Sequence, residues 1–245
     1  MKELEIAKLA CYKAGGFLLK LKEKKINSSD GKDIKLQADL DSEKIICEIL
    51  TSAFSYPILS EESYKISDKE RKGVYWIVDP LDGSLNFSQD IPLCCISIAL
   101  YKDNNPILGV IYDFYRDEMF SGEVGSGAWL NDKKIIPNNR KKPKKEAVLA
   151  TGFSSYMSYD KKNLENFILH IQDFKKIRLF GSAALSLAYV ACGRVDIYYE
   201  KDIAFWDVAA GIAIIACLYP QYKLNELFFS QYLTLKIDFN LKSIE

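Results

Sequence analysis

The chain has 245 residues, of which 49% are hydrophobic, and its 33 Lys and Arg residues balance 33 Asp and Glu residues. This length can bury a sizeable core, and we expect two closely packed subdomains, residues 1–145 and 146–245. With a formal net charge of zero, no global field attracts nucleic acid or a membrane surface. The longest apolar stretch, residues 208–218, is too short to span a bilayer, and no signal peptide is recognised, so we expect a cytoplasmic protein.

The N-terminal segment predicts two amphipathic helices and a short strand. Apolar residues recur at helical spacing over residues 4–21 and again over residues 45–50. Asp39 heads the second helix, where ordinary N-capping also favours Asp, so this residue alone does not indicate a function. An apolar strand is predicted at 56–59, and it ends next to Glu61.

The middle of the chain predicts a run of strands. Apolar segments with strand character lie at 74–78, 94–101, 107–112, 118–121 and 128–130. The Asp-Asn-Asn-Pro turn at 103–106 joins two of these strands as a hairpin.

The second half predicts alternating strands and helices. Strands are expected at 147–150, 177–180 and 195–199, and helices at 161–171, at 183–192 and in the apolar segment that follows Asp207. The six cysteines show no metal-ligand spacing and lie in apolar segments, which indicates reduced core residues. The single histidine, His170, lies on a polar helix, so a Ser-His-Asp hydrolase is excluded.

The most informative stretch is the Trp-Ile-Val-Asp-Pro-Leu-Asp-Gly-Ser sequence that ends at Ser84. Its apolar strand is expected to stop where Pro80 and Gly83 turn the chain, which leaves Asp79 and Asp82 at the mouth of the strand. Two such carboxylates repel each other in a low dielectric unless a cation lies between them. With oxygen ligands alone, the natural cation is Mg²⁺ or another hard divalent ion. Backbone N–H groups at the predicted helix start favour an anion such as phosphate.

Two further carboxylates extend this pattern. Glu61 follows a short apolar strand in the same way, and Asp207 stands at the head of an apolar, small-residue helix. An Asp in such a context is unusual, because a buried charge needs a partner or a metal. Taken singly, Asp39 is explained by helix capping and Glu61 by surface charge, but the ordered set of carboxylates is a stronger signal than any of its members.

These motifs together resemble the inositol monophosphatase family, within the superfamily of lithium-sensitive, magnesium-dependent phosphatases. The motifs are Asp39, the SEES segment around Glu61, DPLDGS from Asp79 to Ser84, and WDVAAG around Asp207. The likeness runs from about residue 4 to about residue 216. It implies an α/β (α+β) fold, the layered α-β-α-β-α sandwich of the inositol monophosphatase and fructose-1,6-bisphosphatase type, with the site at the seam between two sheets.

The resemblance also implies a role for each matching residue. The implied metal ligands are Glu61, Asp79, the Leu81 carbonyl, Asp82 and Asp207, which would hold two Mg²⁺ ions, with a third, weaker ion on Glu61 and water. The implied catalytic residues are Glu61 and Ser84, which orient the attacking water, and Asp39, which fixes the Ser84 hydroxyl. The implied substrate-binding residues are Asp82, Gly83, Ser84, Gly181, Ser182, Ala183, Glu200 and Asp207.

The implied activity is hydrolysis of inositol monophosphate, or of a related polyol or sugar phosphate, by a metal-activated water. A fructose-1,6-bisphosphatase or a 3′-phosphoadenosine 5′-phosphate phosphatase is an alternative. A catalytically impaired interaction protein, RNA-associated through the basic segment at 140–145, is another. The expected partners are a small phosphate ester and a second copy in a homodimer, without a membrane. Nucleic acid is disfavoured, because the basic segment is more simply a solvated connector.

The chain departs from the family pattern in two places. Leu36 stands where the family commonly has Thr, three residues before Asp39, which is expected to loosen a local hydrogen bond. The tail after about residue 217 does not resemble the family. We favour a frameshifted or truncated tail that leaves a sheet edge unpaired; the alternative is that residues 232–239, with alternating apolar and polar residues, supply the missing strand.

Overall fold

The computed structural model describes residues 2–30, 33–63, 65, 69–137, 142–154, 157–220, 223–224, 232–238 and 243–244. Its helices are α1 (Lys2–Leu18), α2 (Gln37–Ala53), α3 (Ser84–Ser88), α4 (Lys161–Ile171), α5 (Ala183–Ala191) and α6 (Phe205–Leu218). Its strands are β1 (Ile26–Asp30), β2 (Asp33–Leu36), β3 (Ile58–Ser60), β4 (Val74–Asp82), β5 (Cys95–Lys102), β6 (Asn105–Asp113), β7 (Glu118–Glu123), β8 (Gly127–Leu130), β9 (Lys133–Lys134), β10 (Val148–Thr151), β11 (Lys176–Arg178), β12 (Ile197–Ala204), β13 (Lys223–Leu224), β14 (Tyr232–Asp238) and β15 (Ser243–Ile244). Single 3-10 turns lie at Glu70–Lys72 and Lys144–Glu146.

The described strands form two main sheets. The larger has the order β3-β4-β5-β6-β7-β8-β9, in which β3 runs parallel to β4 and every other pair of neighbours is antiparallel. The smaller has the order β11-β10-β12-β14, in which β10 is parallel to β11 and to β12, whereas β14 is antiparallel to β12. Two short ladders join β1 to β2 and β13 to β15.

Side-chain alternation along β4 explains why helices cover both faces of the larger sheet. Trp76 and Val78 belong to one core with the buried residues of α1 and α2, whereas Tyr75 and Ile77 belong to another core with α5 and α6. Because successive side chains of a strand point to opposite faces, a single apolar strand contributes to both cores.

The smaller sheet is covered on both faces in the same way. Leu149 of β10 and Ile197 of β12 pack with Phe167 of α4, whereas the adjacent Ala150 and Tyr198 pack with α5 and α6. The layers therefore run α1 and α2, larger sheet, α5 and α6, smaller sheet, α4. This order confirms the predicted α-β-α-β-α sandwich.

Helix α6 is apolar on all sides because it lies between the two sheets. It also approaches β6 closely. A Cβ added to Gly109 of β6 would lie 2.3 Å from the carbonyl oxygen of Ala210, so this approach requires glycine at position 109. The tight contact fixes the start of α6, which carries Asp207.

The predicted elements agree with the structure except at several ends. The hairpin between β5 and β6 is confirmed, and Asp103 and Asn104 adopt the positive φ angles, 52° and 60°, that such tight turns need. Helix α1 ends at Leu18, three residues earlier than residue 21. Strand β4 continues to Asp82 instead of stopping at residue 78, with consequences for the site that are described below.

The tail supplies a strand to the smaller sheet. β14 pairs antiparallel with β12, as the alternative interpretation of residues 232–239 predicted, although residue 239 lies outside the described residues. Our expectation that the tail leaves a sheet edge of the second subdomain unpaired is therefore wrong, because the alternating apolar pattern of this segment places it in the sheet despite its lack of family resemblance.

All six cysteines are free, as predicted. Cys11, Cys47, Cys94 and Cys95 are buried, and the remaining two are partly exposed. Among the helices of the described residues, none combines the length and the apolar character needed to cross a membrane.

Candidate active site

A cavity of about 270 Å³ lies between the end of β4, the starts of α3, α5 and α6, and the segment that follows β10. Its walls contain eleven of the predicted site residues: Glu61, Asp79, Leu81, Asp82, Gly83, Ser84, Gly181, Ser182, Ala183, Glu200 and Asp207. Asp39 lies behind the wall, next to Ser84. The walls also contain residues to which the sequence assigned no role: Leu85, Thr151, Gly152, Phe153, Ser154, Ser186, Ile203, Ala204 and Trp206.

A bulge in β4 brings Asp79 and Asp82 to the same cavity. Asp79 pairs with Ser97 and Asp82 with Cys95, so three steps along β4 oppose two steps along β5. In a regular strand, residues three apart point to opposite faces, and the extra residue reverses that alternation. The expectation that Pro80 stops the strand is therefore wrong, because the bulge accommodates the proline while pairing resumes beyond it.

Glu61 and Asp207 reach the cavity from other elements. Because β3 is parallel to β4, their carboxyl ends meet at one edge of the sheet, and the Glu61 backbone N–H donates to the Val78 carbonyl at 3.2 Å. Asp207 lies in the first turn of α6, directly after β12. Residues far apart in the chain thus deliver four carboxylates to one place.

These carboxylates oppose one another electrostatically. Burial raises the pKa of Asp79 well above its usual value, and the charges of Glu61, Asp82 and Asp207 raise it further. Burial likewise raises the pKa of Asp207, with added contributions from the charges of Glu61, Asp82 and Glu200. None of the described residues that line the cavity is Lys, Arg or His, and the Lys65 ammonium lies outside this lining, 4.8 Å from the centroid of the Trp206 ring.

The orientation of Asp82 is fixed by hydrogen bonds. Its Oδ2 accepts from the Ser182 hydroxyl and from the Ala184 backbone N–H, both at 2.6 Å. Burial raises the pKa of Asp82 to about 6, while these donors favour the charged form and oppose the rise. The start of α5, which carries none of the other three carboxylates, therefore fixes the position of the Asp82 carboxylate.

The donor set fits a hard divalent cation. Its side-chain ligands are carboxylate oxygens, which Mg²⁺ prefers, and a cation would relieve the repulsion that raises the pKa of Asp79. Within the described ranges, no three His, Cys, Asp or Glu side chains are already arranged to hold a metal ion.

A hydroxyl and a buried carboxylate form a second functional unit beside the acidic cluster. The Ser84 Oγ lies 2.8 Å from Asp39 Oδ1 and 2.9 Å from the Leu81 carbonyl oxygen. Asp39 is 2% exposed, and its Oδ2 accepts from the Leu36 backbone N–H at 2.6 Å. The loosening expected from Leu36 is therefore not observed, because the main chain at this position holds Asp39 without a side-chain hydroxyl.

Glu200 contributes a separate carboxylate on the β12 side of the cavity. Its Oε2 accepts a hydrogen bond from the Tyr198 hydroxyl at 3.1 Å, and burial raises its pKa to about 7. The carboxylate lies against the main chain of the segment after β10: a Cβ added to Gly152 would be 2.5 Å from Glu200 Oε1. The absence of a side chain at position 152 therefore makes room for Glu200.

Asn86 joins two walls of the cavity, a role that the sequence did not reveal. Its Nδ2 donates to the carbonyl oxygens of Leu93 at 2.7 Å and Phe180 at 2.8 Å. Gly181, at φ 70°, lets this contact form, because an added Cβ would lie 2.8 Å from Asn86 Nδ2. The signal was a polar residue between Leu85 and Phe87 in α3, but one of its two partners, Phe180, is 94 residues away in sequence.

We expect an Asn86→Ala variant to lose roughly 1–3 kcal/mol of unfolding free energy, because two backbone carbonyls lose their donor. Urea denaturation measures this loss directly. Asn105→Ala is the matched control, since its Nδ2 donates to an exposed carbonyl of its own turn, and a change within about 0.5 kcal/mol is expected. Equal losses of unfolding free energy in the two variants would show that the hydrogen bonds of Asn86 do not join the two walls of the cavity.

Comparison with known proteins places the chain among named relatives. The model of the Inositol monophosphatase family matches residues 2–217. The chain is 39% identical over 215 residues to "Nus factor SuhB" of Xylella fastidiosa, covering 84% of this chain and 76% of that protein. It is 36% identical over 223 residues to "Inositol-1-monophosphatase" of Synechocystis, covering 86% and 75%. The solved structure of extragenic suppressor protein SuhB from Bartonella henselae is similar with a TM-score of 0.80 at 34% identity, covering 89% of this chain and 85% of that one.

Proposed function

The chain belongs to the inositol monophosphatase family, and we propose that it is a magnesium-dependent phosphomonoesterase that hydrolyses inositol monophosphate or a related polyol or sugar phosphate. The observation that carries this proposal is the arrangement of four carboxylates, two of them on a bulged strand, beside a hydroxyl and a separate pocket carboxylate. A phosphate dianion could not approach so acidic a cavity unless cations first neutralised it.

The carboxylates are suited to hold those cations. Glu61, Asp79 and the Leu81 carbonyl would hold one Mg²⁺ and Asp79, Asp82 and Asp207 a second, with a third, weaker ion on Glu61 and water. Bound divalent ions supply charge neutralisation at the phosphate and lower the pKa of a coordinated water. The donors on Asp82 Oδ2 restrict the rotation of that carboxylate, so the site is partly organised in advance.

Residues next to the four carboxylates, at the acidic end of the cavity, would position the phosphate and the attacking water. Backbone N–H groups of Gly83 and Ser84 would donate to phosphate oxygens. The Ser84 hydroxyl donates its hydrogen to Asp39, so its oxygen would accept a hydrogen bond from the attacking water, which Glu61 would also orient. These residues act by orientation, so their loss should lower turnover more than binding.

The β12 side of the cavity favours a neutral, hydroxyl-rich alcohol. Glu200 would accept hydrogen bonds from substrate hydroxyls, and the Gly181 and Ala183 main chain and the Ser182 and Ser186 oxygens at the start of α5 line the same space. A second phosphate would meet Glu200 and no basic side chain among the described lining residues. This charge balance supports a polyol monophosphate over fructose-1,6-bisphosphate or 3′-phosphoadenosine 5′-phosphate.

Phosphate release from these three esters tests the proposal. We expect inositol-1-phosphate to have the highest kcat/KM in Mg²⁺. A preference for either bisphosphate would leave the reaction class intact but contradict the assignment of Glu200 to a neutral alcohol. Failure to release phosphate from any of them would contradict the reaction class.

Gly152→Ala tests the role of Glu200 without touching the metal ligands. The new Cβ must displace the Glu200 carboxylate, so we expect KM for inositol-1-phosphate to rise by about tenfold. Steady-state kinetics measure the change. Gly16→Ala is the matched control, because a Cβ there would have nothing within 4 Å. An unchanged KM in Gly152→Ala would remove Glu200 from substrate binding.

A second candidate function is that of an interaction protein without catalysis. Relatives named Nus factor SuhB favour it. The basic segment at 140–145 supports it weakly, because Lys142 pairs with Asp196 at 2.6 Å and Lys144 lies over the Phe174 ring. A well-folded protein that releases no phosphate in Mg²⁺ would favour this function over the first. Light scattering would test the homodimer that we propose in either case.

A further inference from the structure

Two apolar side chains in the cavity wall have no role in the reaction proposed above. Phe153, after β10, and Leu85, in the first turn of α3, both line the cavity but remain 42% and 58% exposed. The neighbouring lining residues are mostly carboxylates, hydroxyls and glycines. Exposed apolar surface that is continuous with a polar site favours a ligand with an apolar part.

Phe153 is held in place before any ligand arrives. Its ring centroid lies 4.5 Å from that of Phe167 and 6.0 Å from that of Tyr159, so other aromatic rings support it. The adjacent Ser154 donates its hydroxyl hydrogen to the Asp202 carbonyl, and Thr151 does the same to the Tyr199 carbonyl. A ligand that contacts the exposed part of the ring would therefore pay little ordering entropy.

Packing alone does not account for the exposed part of these side chains. Phe167, whose ring packs against that of Phe153, is by contrast buried at 4% exposure. The acidic end and the Glu200 pocket occupy other parts of the same wall. The exposed parts of Phe153 and Leu85 are therefore available to a substituent on the phosphorylated ring of a substrate.

We propose that Phe153 and Leu85 form an apolar subsite that selects polyol or sugar phosphates carrying an apolar substituent, such as the aryl group of a glycoside. The inference rests on the proposed phosphomonoesterase function and adds to it a substrate class. Contact with an aromatic ring favours an aryl group over a methyl group, because offset or edge-to-face packing adds to the burial of apolar area.

A pair of substrates with the same phosphate and sugar tests the subsite: phenyl and methyl β-glucoside 6-phosphate. We expect the wild-type protein to prefer phenyl β-glucoside 6-phosphate over the methyl compound by about tenfold in kcat/KM. Phe153→Ala should reduce that ratio to about one and Leu85→Ala should reduce it in part, because each removes apolar contact with the aglycone. Leu179→Ala is the matched control: Leu179 is 59% exposed but does not line the cavity, so the ratio should remain as in wild type.

The ratio separates the subsite from general damage, since misfolding lowers turnover of both esters equally. A wild-type ratio near one, or a ratio that Phe153→Ala leaves unchanged, would overturn the subsite. If the wild type hydrolysed neither ester, phosphate release from inositol-1-phosphate would show whether the proposed function itself had failed. Calorimetric binding of the two esters in Mg²⁺ would then decide the subsite, with loss of the phenyl preference in Phe153→Ala as the supporting result and no preference in wild type as the opposing one.

Discussion

An Asp79→Asn variant is expected to release phosphate at least about a thousandfold more slowly than the wild-type protein in Mg²⁺. Asp79 is the carboxylate that the proposed assignment shares between two ions, and its charge interacts with those of Glu61, Asp82 and Asp207. Asparagine keeps the shape but removes the charge, so it cannot replace a ligand shared by two cations. The loss should therefore appear in kcat and not only in KM.

Although the Asp79→Asn substitution should lower activity, we expect it not to lower the stability of the metal-free protein. Without metal, Asp79 raises the energy of the folded state, because it is 1% exposed and lies among other carboxylates. We expect the melting temperature of metal-free Asp79→Asn to equal or exceed that of wild type. Asp132→Asn, an exposed carboxylate in the turn between β8 and β9, is the control and should change neither quantity. Wild-type turnover, or a clear drop in melting temperature, would contradict the account of Asp79.

Ser84→Ala is expected to lower kcat by about a hundredfold, because the attacking water loses the hydroxyl that orients it. Ser84→Thr keeps a hydroxyl at this position and should retain most of the activity. The geometry that supports this prediction is the 2.8 Å contact between Ser84 Oγ and Asp39 Oδ1. Steady-state kinetics with inositol-1-phosphate measure both variants.

Asp39→Asn should lower kcat by a similar factor, since Asp39 acts through the Ser84 hydroxyl. The double variant should then be no slower than about either single variant, because residues that act as a unit have non-additive effects. If the two losses of kcat instead multiplied in the double variant, Ser84 and Asp39 would act independently, and the proposal that Asp39 acts through the Ser84 hydroxyl would be wrong.

The sequence predicted many helices and strands and the acidic cluster for identifiable physical reasons, whereas the order of the layers was implied by the resemblance to the family. Helical and strand periodicities recorded which faces are buried, so α4 and the β5–β6 hairpin were located correctly. The spacing of Asp79 and Asp82 beside a glycine turn indicated a cation before any fold was known. Period-two alternation alone would have placed these two residues on opposite faces, and only the bulge in β4 explains how both reach the cavity.

Contacts between segments far apart in the sequence could not be predicted from these periodicities. The bond from Asn86 to the Phe180 carbonyl and the approach of Gly152 to Glu200 depend on how two sheets pack, which no local pattern records. The tail shows the opposite case: its alternation predicted a strand, and its low similarity to the family misled our expectation of an unpaired edge.

The central claim is that this acidic cavity is a magnesium-dependent phosphatase site. The most direct measurement is phosphate release from inositol-1-phosphate by the purified protein, with Mg²⁺ and after its removal by a chelator. The account predicts turnover that disappears with the chelator and returns when Mg²⁺ is restored. Turnover that is equal in both conditions, or that is absent from a cooperatively folded sample with Mg²⁺, would contradict it.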